Sequence, residues 1–105
     1  MARPSPAHYV YIVRCADGSL YTGYARDPES RAAMHNSGRG ARYTSGRRPV
    51  RLVYSESFAT AGDALRREYQ LKCWPRLKKE ALIKETPYAG RRRRAISVVS
   101  ARQTR

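Results

Sequence analysis

The chain has 105 residues and carries 22 Lys and Arg against 8 Asp and Glu, a formal charge of +14 at pH 7. A length of this order supports one domain with one core, hiding roughly 65% of the unfolded surface. The charge favours polyanions, which makes nucleic acid the first expected partner, the alternative being a generally cationic protein with no fixed ligand.

Met1 to Ala7 holds two prolines and no hydrophobic period, and reads as a flexible arm over residues 1–7. Tyr9 to Cys15 and Leu20 to Tyr24 are rich in β-branched and aromatic residues, and the turn-forming Ala16-Asp17-Gly18-Ser19 between them predicts a hairpin. Asp27-Pro28 then marks a helix start, with Asp as cap and Pro at the first helical position. The helix is expected to run from Pro28 to Asn36 and stop at Ser37-Gly38. Gly38 to Pro49 reads as a loop rich in Gly and Arg. Val50 to Phe58 reads as a third strand, with Val50, Leu52 and Tyr54 alternating against polar residues.

Thr60-Ala61-Gly62-Asp63 resembles a capping box and opens a second helix to about Cys73. Pro75 starts a third, ending near Thr86-Pro87. The order β-β-α-β-α-α predicts an α+β fold, a small three-stranded antiparallel sheet flanked by helices, over residues 8–86. Residues 87–105 read as a basic, Arg-rich and disordered tail. Residues 1–87 keep a charge of +8 without residues 88–105, so the domain is basic on its own. Cys15 and Cys73 lie too far apart in sequence for a metal pair. The apolar run Tyr9–Val13 is too short for a signal peptide or a membrane span, so a soluble, cytoplasmic protein is expected, as a monomer.

Register decides whether the hairpin carries chemistry. A two-residue loop at Asp17-Gly18 pairs Tyr11 with Tyr24 and sends Tyr21 to the other face. A three-residue loop with left-handed Gly18 pairs Cys15 with Ser19, Tyr11 with Gly23 and Val13 with Tyr21, so both phenols share one side. The second register is expected, with Gly23 as an open floor for a phosphate. Arg31 and His35, four apart on the first helix, point the same way. Their chemistry suits a phosphate clamp and a proton carrier. Glu68 falls within the apolar stripe Ala61, Ala64, Leu65, Leu71 of the second helix, while Arg66, Arg67 and Gln70 point away. A carboxylate placed there needs an ion-pair partner or a metal.

Phosphodiester hydrolysis requires a water activator, a countercharge and help for the leaving oxygen. Glu68 with Mg²⁺ and Arg31 supply parts of that set. A tyrosine base requires its pKa to fall from about 10, and nearby cations act in that direction. In the loop, Arg39, Arg42, Arg47 and Arg48 are candidates to grip a strand backbone, with Tyr43 to stack on a base.

Tyr9-Val10-Tyr11, Tyr21-Thr22-Gly23, Arg31, His35-Asn36, the Gly38-to-Thr44 stretch and Arg67-Glu68-Tyr69 together resemble the GIY-YIG nuclease superfamily. The likeness is closest to its short, single-domain bacterial (UPF0213-like) members and covers about residues 8–85. It departs from the motif at Tyr9, at Thr22 and in lacking an Asn after Glu68. The resemblance implies an endonuclease assisted by one divalent metal, Mg²⁺ or Mn²⁺, acting on DNA at repair or branched intermediates. It implies Tyr11 as general base, Tyr21 positioning water or phosphate, Arg31 on the scissile phosphate, His35 supporting proton transfer and Glu68 holding the metal. The alternative is a DNA- or RNA-binding module that keeps the fold without cutting.

Overall fold

The computed structural model describes residues 8–88; the N-terminal arm and the Arg-rich tail expected from sequence lie outside them, save Pro87 and Tyr88. The β-branched and aromatic runs form β1 (His8–Arg14) and β2 (Leu20–Ala25), joined by the three-residue loop. The Cys15 N–H donates to the Ser19 carbonyl at 2.8 Å, and Gly18 has φ of 87°, a left-handed conformation that only glycine adopts at no steric cost. Tyr11 therefore lies opposite Gly23 and Val13 opposite Tyr21. The phenols share a face.

β3 (Arg51–Phe58) adds antiparallel to the other edge of β1, giving the order β2-β1-β3. A bulge interrupts this pairing: Ile12 faces Tyr54 but Val13 faces Leu52, which leaves Val53 as the extra residue. The expected alternation of Val50, Leu52 and Tyr54 on one face is corrected here. The extra residue reverses the parity, so Tyr54 joins Ile12 on one side while Leu52 and Val50 join Val13 on the other.

The helices follow their caps. α1 (Pro28–Asn36) starts at Asp27, whose carboxylate accepts from the Glu29 and Ser30 N–H groups. α2 (Arg42–Ser45) is a single turn inside the stretch expected to be irregular, so the order is β-β-α-α-β-α-α. α3 (Ala61–Lys72) is capped by Thr60, whose hydroxyl accepts from the Asp63 N–H at 3.1 Å. α4 (Arg76–Glu85) follows Pro75. Beyond it, the Tyr88 N–H donates to the Val53 carbonyl at 3.2 Å.

The sheet is covered on both faces, and the central strand β1 is buried from Val10 to Val13. Val10 and Ile12 pack with Tyr54, Ala64, Leu71 and Ile83; Tyr11, Val13 and Cys15 pack with Ala25, Val50 and Ala32. Fully buried aliphatics such as Ile12 and Leu71 contribute about 1.5–3 kcal/mol each. The α3 stripe is narrower than its periodicity suggests. Ala64 and Leu71 are buried, Leu65 is 47% exposed, and Arg67 turns inward to pair with Glu56 at 3.0 Å. A three-stranded sheet offers α3 little width, so Glu68 sits on the rim of its contact rather than in the middle. Arg14 grips Glu80 with two hydrogen bonds of 2.9 and 2.8 Å, tying α4 to β1.

Candidate active site

Tyr11 is 1% exposed, and its ring lies across Gly23. A Cβ at residue 23 would meet the Tyr11 Oη at 2.5 Å and Cζ at 2.6 Å. The open floor expected over Gly23 is therefore filled by the ring itself, and Gly23 has no free surface for a phosphate. Glycine stands there because Tyr11 needs the space.

The Tyr11 hydroxyl lies 2.8 Å from His35 Nε2. His35 ends the buried side of α1, and its other ring nitrogen, Nδ1, is 3.2 Å from the Ala41 backbone nitrogen and 2.9 Å from Thr44 Oγ1. The Thr44 hydroxyl donates to the Ala41 carbonyl and so accepts from Nδ1–H, whereas the Ala41 N–H needs Nδ1 bare; the two contacts belong to opposite tautomers of the neutral ring. Nε2 correspondingly accepts from the Tyr11 hydroxyl in the first tautomer and donates to its oxygen in the second. Burial first, and then the charge of Arg31, hold the His35 pKa below its ordinary value and keep the ring neutral.

Three supports of this arrangement escape sequence reasoning. Gly40 passes so close that a Cβ would lie 2.1 Å from His35 Nδ1. Thr44 is fully buried and bonds both Nδ1 and the Ala41 carbonyl. Asn36 clamps Val50 through both backbone groups, at 3.0 and 2.6 Å, and so fixes the end of α1 against the start of β3. The Gly38-x-Gly40 pattern after a helix end is a signal for close backbone approach, and Thr44 closes the Gly38-to-Thr44 stretch of the family resemblance, but their contacts with His35 are tertiary.

Tyr21 is half-buried, with its ring centroid 6.4 Å from that of Tyr11 and 5.3 Å from that of His35. Among the described residues its hydroxyl has no hydrogen-bond partner. The half-buried Arg31 side chain likewise makes no hydrogen bond among them, yet its charge reaches both Tyr11 and His35. Glu68 lies near enough to raise the Tyr11 pKa, and its side chain, 17% exposed, pairs with Lys72 at 3.1 Å. The structure thus brings Tyr11, Tyr21 and His35 into ring contact, with Arg31 and Glu68 within electrostatic reach.

The Tyr11 phenol is held above its ordinary value, which reverses the expected downward shift. Burial is the largest cause and Tyr21 the next, and the opposing pull of Arg31 is smaller. Loop residues divide as well. Arg47 donates to the Tyr43 carbonyl and to Asp17, and Arg48 to the Ser45 and Asn36 carbonyls, so both are occupied inside the protein rather than free to grip a strand. Arg39 and Arg42 are exposed, with side chains unbonded among the described residues. The Tyr43 ring, 39% exposed, stacks on Tyr21 at 5.8 Å and carries the Arg47 guanidinium 4.0 Å from its centroid.

Among the described residues no group of three or more His, Cys, Asp or Glu could hold a metal. That excludes an all-protein cage but fits Mg²⁺, which keeps several waters and commonly takes one or two carboxylates together with substrate phosphates. Glu68 alone meets that requirement once Lys72 gives way.

A family profile described as the GIY-YIG catalytic domain matches residues 7–85. The chain belongs to the GIY-YIG family. A UPF0213 protein of Staphylococcus saprophyticus is 60% identical over 78 residues, covering 74% of this chain and 95% of the relative. One from Staphylococcus aureus strain MW2 is 58% identical over 79 residues, covering 75% and 96%. Among solved structures, the solution structure of a UPF0213 protein from Bacillus halodurans is 42% identical with a TM-score of 0.52, covering 90% of this chain and 98% of that one. A protein from E. faecalis is 41% identical with a TM-score of 0.53, covering 81% and 90%. This GIY-YIG chain shares their α+β fold with its three-stranded antiparallel sheet. Membership places it in a nuclease family.

Proposed function

We propose that this GIY-YIG protein is a metal-dependent endonuclease that hydrolyses phosphodiester bonds of DNA at repair or branched intermediates. The observation that carries the reading is the buried Tyr11–His35 hydrogen bond, a phenol held 2.8 Å from a neutral imidazole. Once the phenol has lost its proton, the Nε2–H tautomer of His35 can hold the phenolate oxygen, which also feels the positive charge of Arg31. Ionising an ordinary phenol at pH 7 costs about 4 kcal/mol, and the burial of Tyr11 adds to this. A divalent ion held by Glu68, Mg²⁺ or Mn²⁺, would supply positive charge at the scissile phosphate and oppose that cost.

The chain's own groups then divide the work. The Tyr11 phenolate, its own proton lost to solvent, takes a proton from water, whose oxygen attacks phosphorus as the bond to the leaving oxygen breaks; the leaving oxygen takes a proton from solvent. Arg31 offsets the charge that builds on the phosphoryl oxygens, and the free Tyr21 hydroxyl orients water or phosphate. Arg39 and Arg42 hold the backbone of the strand. Two free cysteines and, among the described residues, no helix long and apolar enough to cross a membrane accord with the proposed cytoplasmic location.

One observation favours a second reading, a DNA- or RNA-binding module without turnover: Glu68 already has a cation in Lys72. Plasmid and branched DNA incubated with Mg²⁺ or with chelator, beside Glu68→Ala, separate the two. Cutting that disappears with chelator and in Glu68→Ala supports the endonuclease. Salt-sensitive binding without cutting by either protein supports the module, and cutting that persists in Glu68→Ala assigns the activity to a contaminant.

A further inference from the structure

Tyr43 and Arg47 look like substrate-binding residues by composition, an aromatic and a cation in a Gly-rich loop. Their surroundings say otherwise. The Tyr43 ring stacks on Tyr21 with centroids 5.8 Å apart and planes 26° from parallel. The Arg47 guanidinium lies 4.0 Å from the Tyr43 centroid and donates to the Tyr43 carbonyl at 2.7 Å, so one side chain holds both the ring and the backbone of the same residue. Its Nε donates to Asp17 Oδ2 at 3.1 Å, while Asp17 Oδ1 accepts from the Ser19 N–H at the hairpin turn. The backbone closes the same circuit: the Ala16 N–H donates to the Arg47 carbonyl at 2.9 Å.

The circuit runs from the β1–β2 turn through Arg47 and Tyr43 to Tyr21, which stands two residues beyond Ser19. Tyr21 itself is half-buried, and its hydroxyl has no hydrogen-bond partner among the described residues. Ring packing against His35, Tyr11 and Tyr43 is what orients it. Among the described residues Tyr43 is the loop ring stacked on it, and Arg47 holds Tyr43 there.

We infer that Tyr43 and Arg47 are positioning residues for Tyr21: the Asp17–Arg47–Tyr43 latch holds the Tyr21 ring against His35 so that its hydroxyl meets the scissile phosphate or its water. The inference rests on the endonuclease reading for its effect on rate but not for its effect on geometry. Displacing a positioning group by about 1 Å can cost a factor of about 100 in rate, with little change in affinity.

The test uses the full chain and Tyr43→Ala, Tyr43→Phe and Arg47→Met, with two readouts. The first is Mg²⁺-dependent cleavage of branched DNA, resolved into kcat and DNA affinity. The second is the set of NMR ring-to-ring contacts between Tyr21 and His35. Tyr43→Ala is expected to lose those contacts and to lower kcat by roughly 10- to 100-fold, with the DNA Kd within about twofold. Tyr43→Phe, which keeps the ring, restores both, and Arg47→Met reproduces a weaker form of the Ala defect. Should Tyr43→Ala fail to fold, Arg47→Met carries the same comparison. A Kd raised more than tenfold at unchanged kcat would show that Tyr43 contacts the DNA and overturn the inference, as would intact Tyr21–His35 contacts in Tyr43→Ala. If the wild-type chain cuts no DNA, the endonuclease reading fails, and the ring contacts alone decide the positioning claim.

Discussion

Gly40→Ala is the sharpest single perturbation of the His35 pocket. A Cβ at residue 40 would lie 2.1 Å from His35 Nδ1 and 2.7 Å from both its Cα and its Cγ. Ordinary contact begins near 3.4 Å, so the loop or the ring must move by about 1 Å. The ring is pinned by Tyr11 and Thr44 and the Cα belongs to α1, so the loop is the part that gives way. Overpacking of this kind costs about 1–3 kcal/mol. Moving the loop also withdraws the Ala41 N–H from buried Nδ1, a loss of about 1–3 kcal/mol if nothing replaces it. Against this, the stiffer unfolded chain returns about 0.4–1 kcal/mol.

A net loss of about 3 kcal/mol follows, which is a fall in Tm of about 12–24 °C for a domain of this size. Gly46→Ala is the control, since its Cβ meets nothing within 4 Å and its φ of −96° suits alanine. It should be neutral or slightly stabilising. Thermal and urea unfolding of both variants, with the nitrogen shifts of His35, make the comparison. A Gly40→Ala protein as stable as Gly46→Ala, with unchanged His35 shifts, would refute the reasoning.

Thr22 Oγ1 is buried without a hydrogen-bond partner, so Thr22→Val should raise stability by about 1 kcal/mol; a lower Tm in the variant would show that the hydroxyl is satisfied. Glu80 is held down to about 2 from 4.5, chiefly by the Arg14 hydrogen bonds. Its folded pKa is depressed, so its stabilisation is complete above pH 4.5 and is lost as pH falls towards 2. Glu80→Gln should flatten the unfolding-versus-pH curve across that window, and an unchanged acid slope would contradict this. His35 should titrate below 6.5, as read from its nitrogen shifts; a midpoint at or above 6.5 would contradict the burial of its ring beside Arg31. Lys72→Met frees Glu68 of a cation and is expected to tighten Mn²⁺ binding roughly fivefold by titration calorimetry, with Glu68→Ala abolishing it; weaker binding in Lys72→Met would show that Lys72 does not compete with the ion.

What could be read from the sequence was what local rules govern. The hairpin register follows from a left-handed Gly18 and the period of two, and α1 from Asp27, Pro28 and the Ser37-Gly38 stop. Those rules place Tyr11, Tyr21, Arg31 and His35, because each position is counted from a nearby turn or cap. The bulge at Val53 was not legible, since a single extra residue leaves the alternation of Val50, Leu52 and Tyr54 looking regular until the partner strand is known. The Gly40, Ala41 and Thr44 contacts with His35 were invisible for a related reason. Each depends on how a loop folds back over a helix that ended several residues earlier.

The loop arginines show why composition overstates a binding surface. Arg39, Arg42, Arg47 and Arg48 are equal as charges in the sequence and unequal in the structure. Arg48 donates to the Asn36 and Ser45 carbonyls beneath Gly38, where a Cβ would meet its guanidinium at 3.0 Å, and Arg47 is held by Tyr43 and Asp17. All four still contribute to the field that draws a polyanion, because the field depends on charge and falls slowly with distance. Grip is different: it needs donors that are not already engaged, and Arg39 and Arg42 meet that condition while Arg47 and Arg48 do not. Neutralising Arg39 and Arg42 together should therefore weaken DNA binding at every salt concentration and lower the salt slope by about 2. The same change at Arg47 and Arg48 should disturb the fold of the loop before it disturbs affinity. The division between attraction and grip thus runs inside one loop of the GIY-YIG domain, between residues of the same type.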